Sequence, residues 1–300
     1  MKLVRYSVNG QSPRVGVLQG DRIGDIQASL AASLAGRGVT RAQEIAAALA
    51  PQSMRGLLEG GAATLDAMAS LTEWVSVPTA GARLHAPIND PGKFICIGLN
   101  YSDHAAEAGV PVPKEPPIFA KFANAIVDPG EPILRPRGSS QLDWEVELGV
   151  VIGRAARHVS RERALDHVYG YTIINDVSAR DFQMTTSQWM AGKIFETAAP
   201  LGPYIADTSE VPDPHVLSLK TWVNGKQVQN GNTKAFIFDV RYVISFLSNL
   251  MTLSPGDIIA TGTPPGVGLG MKPPVWLQPG DVCRMEITGL GSLENPVKDA

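Results

Sequence analysis

Cysteine is almost missing from this chain: its 300 residues hold only Cys96 and Cys283, far apart and outside any CxxC spacing. That excludes a disulfide framework and a thiolate metal site, and it fits a reducing compartment. An excess of charge of one sign is missing too. A net charge of −3 provides no basic surface for nucleic acid or an anionic membrane, so neither is expected as a partner. No apolar run approaches the length of a membrane span. The opening Met1–Ser7 lacks the uninterrupted apolar stretch of a secretory signal, and a cytoplasmic location is the expectation.

What the chain does hold is glycine (30) and proline (23), scattered rather than clustered, which reads as turns between many short strands. At this length one large domain with a smaller companion is expected. Residues 1–80 form the smaller α+β unit. Val15–Leu18, a turn at Gln19–Asp21 and Arg22–Ile23 read as antiparallel strands, and Ala42–Ala50 and Ala63–Trp74 carry helical spacing. Val77–Ala82 reads as a linker. Residues 85–300 form the larger, β-rich unit, with strands at Phe94–Gly98, Glu147–Gly153, Gly170–Ile174, Leu217–Val223, Ile258–Thr261 and Val282–Ile287. One helix starts near Ser102, capped by Ser102 or Asp103 with His104–Ala108 inside, and another covers Val240–Met251. With strands many and helices few, the expected class is α+β, rich in β, a sandwich or roll rather than a doubly wound parallel sheet.

The chemistry gathers in four places. In Asp143-Trp144-Glu145-Val146-Glu147-Leu148, strand alternation turns Glu145 and Glu147 to one face and Trp144, Val146 and Leu148 to the other. Two neighbouring carboxylates on a strand repel each other, and a divalent cation would offset that cost. Asp176, closing the next apolar run, is a third oxygen donor; such a set suits Mg²⁺, Mn²⁺ or Ca²⁺ rather than Zn²⁺. The plainer alternative is an acidic wet face of an antiparallel strand. In Gly98–Glu107, His104 and Glu107 are three apart on the expected helix, so the carboxylate can orient the imidazole as a base. A capped surface helix is the alternative. Arg180 and Gln183 suit a substrate carboxylate or carbonyl, and Lys193 suits an enolate; solvation of a surface is the alternative for each. Last, Thr261–Gly270 follows a strand without matching a P-loop or dinucleotide pattern, and its backbone N–H groups suit an anion.

Taken in order, the GxNYxxH segment, the E-x-E strand, the NDVSARD turn, the Gly-Lys loop and the TGTPxGVG loop resemble the fumarylacetoacetate hydrolase family. The resemblance covers roughly residues 85–297, and residues 1–80 resemble the variable domain many members carry first. It implies a mixed β-sandwich roll and a homodimer. It further implies a Mg²⁺-type ion (or Mn²⁺, with Ca²⁺ a further option) on Glu145, Glu147 and Asp176. His104 and Glu107 would form the proton-transfer pair, Lys193 and Thr263 would meet the substrate near the metal, and Arg180 and Gln183 would lie beside it. The implied activity is metal-dependent hydrolysis of a C–C bond in 2,4-dioxo acids of the acylpyruvate kind. The same machinery also admits decarboxylation or tautomerisation of oxaloacetate, or isomerisation of an unsaturated 2-oxo dioate. Leu99, Phe122, Glu196 and Ala198-Ala199 depart from the commoner family text, which bears on the acyl group accepted.

Overall fold

The protein is described here by a computed structural model covering residues 1–107 and 109–300. Its framework is a twelve-stranded open sheet. The order across it is Ser76–Pro78, Arg22–Asp25, Arg14–Gln19, Lys2–Val8, Ala199–Asp207, Val168–Asn175, Val146–Ile152, Ile258–Ala260, Phe94–Ile97 and Ile118–Lys121, with Ala82–His85 and Ile126–Val127 paired off that path. A five-stranded sheet, Lys226–Asn232, Ser218–Val223, Val282–Ile287, Gly291–Asp299 and Ile133–Arg135, is the second layer. The class is α+β, rich in strand, with open sheets, as the sequence leads one to expect.

The central strand Val146–Ile152 shows why the sheet has two cores. All seven of its residues are buried. Val146, Leu148, Val150 and Ile152 join Leu219, Met285 and Leu293 of the second sheet and Val243, Ile244 and Leu247 of the helix Val240–Leu250. The opposite parity sends Val151 into a second cluster with Leu3, Ile26, Leu30, Met54 and Leu57. Each such side chain contributes roughly 1.5–3 kcal/mol by leaving water. The helix Val240–Leu250 opens on Asp239, whose carboxylate accepts from the Tyr242 N–H at 2.7 Å.

Several sequence expectations shift. The helix expected over Ala63–Trp74 spans Gly61–Ala69, because Trp74 leaves the helical path to pack on Gly24, where an added Cβ would lie 2.5 Å from its ring. Ile26–Gly36 and Met54–Glu59 are further helices that the Ala/Leu-rich text concealed. The Val77–Ala82 stretch is not slack: Val77 pairs with Ile23 and Ala82 with Val8. The helix near Ser102 spans Ser102–Glu107, and Ala108 lies outside the described residues. Ser102 is its first residue and its hydroxyl donates to the Asp103 carboxylate at 2.8 Å. Among the described residues, no helix is long and apolar enough to cross a membrane.

Candidate active site

Glu145 immediately precedes the central strand, and Glu147 is its second residue. Asp176 immediately follows the neighbouring strand Val168–Asn175. The bond from the Asp176 N–H to the Glu145 carbonyl (2.9 Å) continues the ladder past the strand ends. This brings one carboxylate oxygen from each acid within 4.8 Å of the others. Glu145 thus sits just off the strand in which the sequence pattern placed it. The face is not wet: Glu145 is 5% exposed, Glu147 2% and Asp176 0%.

Buried bases surround the acids. Lys193 donates to Glu145 Oε2 (2.7 Å) and Asp176 Oδ2 (2.8 Å). Arg180 donates through Nη2 to Glu145 Oε1 (2.6 Å), through Nε to Asp143 (2.8 Å) and through Nη1 to Gln183 Oε1 (2.9 Å). Lys121 is fully buried, and its Nζ lies 2.8 Å from Asp176 Oδ1. It nevertheless directs its hydrogens at the carbonyls of Val177 (3.1 Å), Lys193 (2.7 Å) and Ala198 (2.7 Å). An ammonium has three protons. Asp176 Oδ1 is therefore a buried oxygen with no hydrogen-bond partner.

The electrostatics follow from this packing. Burial favours the neutral form of Glu145, but the Lys193 and Arg180 charges outweigh it and hold the carboxyl below its ordinary range. Burial, reinforced by the Asp176 and Glu145 charges, pushes Glu147 well above that range. Burial lowers the Lys121 ammonium, with Asp176 opposing. Four acids, Asp143, Glu145, Glu147 and Asp176, face three bases, Lys121, Arg180 and Lys193. A cation of charge two would relieve Glu147 and satisfy Asp176 Oδ1. Three buried hard oxygen donors with an orphaned lone pair fit such an ion.

The cavity above this cluster holds about 500 Å³. His104, Glu107, Glu145, Glu147, Arg180, Gln183, Lys193 and Thr263 all line it; Asp176 does not, and joins only through the acid cluster. His104 Nδ1 lies 3.0 Å from Glu107 Oε2. Thr263 Oγ1 accepts from Gln229 Nε2 at 2.9 Å. One wall is apolar, with Leu99, Phe119, Met184, Trp189 and Leu269. Leu99 holds φ +50°, a conformation costly for a side chain with Cβ and found mainly where a site demands it. Sequence reasoning missed Lys121, Asp143 and Gln229 as members of the cluster. Asp143 was signalled by its two-residue spacing from Glu145, and Lys121 by a lone charge in the apolar run Ile118–Phe122.

A sheet framework with buried acids, buried bases and a carboxylate–imidazole pair on one cavity is the arrangement of an enzyme. The sequence pattern described as Fumarylacetoacetate (FAA) hydrolase C-terminal matches residues 93–298, and the chain belongs to that family. It is 48% identical over 251 residues to an oxaloacetate tautomerase of Xenopus laevis described as mitochondrial, covering 82% of this chain and 79% of that protein. It superposes on the fumarylacetoacetate hydrolase of Exiguobacterium antarcticum with a TM-score of 0.82 at 36% identity, over the whole of both chains. The maleylpyruvate hydrolase of a Sphingobium species, solved with manganese(II) and pyruvate, gives 0.76 at 32% identity, again over both whole chains.

Proposed function

We propose that this enzyme interconverts the keto and enol forms of oxaloacetate or a closely similar 2-oxo acid, with a divalent cation held by Glu145, Glu147 and Asp176. The observation that carries the proposal is an imidazole–carboxylate pair, His104 beside Glu107, on the cavity that Glu145 and Glu147 of the buried acid cluster also line. The 48% identical tautomerase supports it. The cation, Mg²⁺ or Mn²⁺, would supply the positive charge that polarises the 2-oxo group. The pair leaves His104 Nε2 to act as the base, because Nδ1 faces Glu107. Nε2 takes a proton from C3, the C3–H electrons form the C2=C3 bond, and the charge moves to the 2-oxygen. Returning that proton to the oxygen gives the enol, so no co-reactant is consumed. Lys193 has two N–H bonds on acids and one left for the developing oxyanion. Arg180, Gln183 and Thr263 place the substrate carboxylate.

A second reading is favoured by the apolar wall of Leu99, Phe119, Met184, Trp189 and Leu269, which suits an uncharged acyl group. In that reading His104 activates water toward the distal carbonyl of an acylpyruvate. The C3–C4 electrons leave as the enolate of pyruvate, and a carboxylic acid departs. One assay separates the two. Chelator-stripped protein is given Mg²⁺ or Mn²⁺ with oxaloacetate or a short acylpyruvate, and enol absorbance and pyruvate are followed. The proposal expects cation-dependent equilibration of oxaloacetate enol without pyruvate. Pyruvate from the acylpyruvate alone would replace it with the hydrolase, and turnover of neither would refute both. We further propose a homodimer, which light scattering checks.

A further inference from the structure

The loop Gly262–Gly270 has the composition of an anion grip, yet four of its N–H groups are already taken by the chain's own acids. Gly262 donates to Glu147 (2.8 Å), Gly266 to Glu107 Oε1 (2.9 Å), and Gly268 and Leu269 to Asp143 (2.6 and 3.1 Å). One loop therefore seats a carboxylate of the acid triad, the partner of His104, and the acid that holds Arg180 against Glu145. We propose that this loop is the positioning element of the site and that Gly270 is the residue that sets the His104–Glu107 pair.

Gly270 donates nothing to Glu107; it yields space. The three atoms nearest to a Cβ built there are Cδ, Cγ and Oε1 of Glu107, at 2.3, 2.5 and 2.5 Å. The backbone at Gly270 is ordinary, unlike Gly266, where a φ of +101° and the 2.1 Å that would separate an added Cβ from the Val228 carbonyl oxygen demand glycine for other reasons. The three closest contacts of a methyl group at position 270 would therefore all be with Glu107. Glu107, with its carboxylate between His104 Nδ1 and the Gly266 N–H, can escape only by leaving both. Gly270 lines the cavity but brings no side chain to it, and it acts through Glu107. The consequence for turnover rests on the proton-transfer role proposed for His104; the geometric consequence does not.

The test is a cycle of Gly270→Ala, Glu107→Ala and the double variant, read in two ways. The first reading is kcat and KM for oxaloacetate with Mn²⁺. Gly270→Ala is expected to lower kcat by about tenfold or more with KM within about twofold, whereas in the Glu107→Ala background it changes kcat by less than about twofold. The second is the side-chain ¹⁵N spectrum of metal-free protein, which has only five histidines. The His104 Nδ1 signal should move in Gly270→Ala as it does in Glu107→Ala. An unmoved His104 signal, or an equal loss of kcat in both backgrounds, would overturn the proposal. If no 2-oxo acid is turned over, the proposed function fails and the spectrum alone decides. Should Gly270→Ala not fold, the double variant is expected to, since the three closest contacts at position 270 are gone; its failure too would place the clash elsewhere and refute the assignment.

Discussion

Replacing Lys121 by methionine removes one nitrogen from a place where four oxygens depend on it. The carbonyls of Val177, Lys193 and Ala198 lose their donor, and Asp176 Oδ1 loses the charge 2.8 Å away. A buried polar group left unpaired costs about 1–3 kcal/mol, and breaking a buried ion pair from one side about 3–5 kcal/mol. Methionine fills the volume of the stem, so little cavity cost is added. We expect a loss of about 4–5 kcal/mol, a large part of the roughly 5–15 kcal/mol that holds a protein together. At about 2–4 °C per kcal/mol for chains of a few hundred residues, the melting temperature should fall by roughly 8–20 °C. Thermal and urea melts of chelator-stripped protein measure this, with Phe122→Ala, 49% exposed on the next residue, as a control expected within about 1 kcal/mol. A Lys121→Met loss below about 1 kcal/mol would refute the view that this lysine is a structural hub of the site.

Glu147→Ala should keep the fold and abolish divalent-cation binding in calorimetry, since the triad loses one of three oxygen donors; unchanged Mg²⁺ affinity would contradict it. His104→Ala should cost about 10²–10⁴ in kcat while metal affinity stays within about twofold, checked by steady-state kinetics beside calorimetry. Saturating Mn²⁺ should raise the melting temperature of the parent but not of Glu147→Ala, because only an ion bound by the folded state adds stability.

Periodicity carried much of this. The parity of Val146, Leu148 and Val150 against Glu147 was readable, and so were the helices near Ala42–Leu49 and Val240–Leu250. Alternation could not say whether the acidic face met water, because a strand covered on both sides and one covered on a single side share the pattern. The acids and their cationic partners come from separate strands and turns, so local text named them singly without revealing their pairing. Lys121 was passed over since a lysine ending a short apolar run normally lifts its charge into water. The glycine-rich loop invited a bound anion from outside; that its amides serve Glu107, Asp143 and Glu147 depends on tertiary approach. Trp74 shortened its helix for the same kind of reason, docking on Gly24 in a strand distant in sequence.

The strand Lys2–Val8 lies between Arg14–Gln19 and Ala199–Asp207, with Leu3 opposite both Val17 and Ile205. A shortened protein starting at Lys93, where the family pattern begins, would strip that cover away. The Ala199–Asp207 strand would then present bare amides and carbonyls on a newly opened border, beside apolar residues such as Leu201 and Ile205 whose covering is gone. Such a border recruits other chains, so insolubility rather than a smaller working enzyme is the outcome to plan for when trimming this molecule.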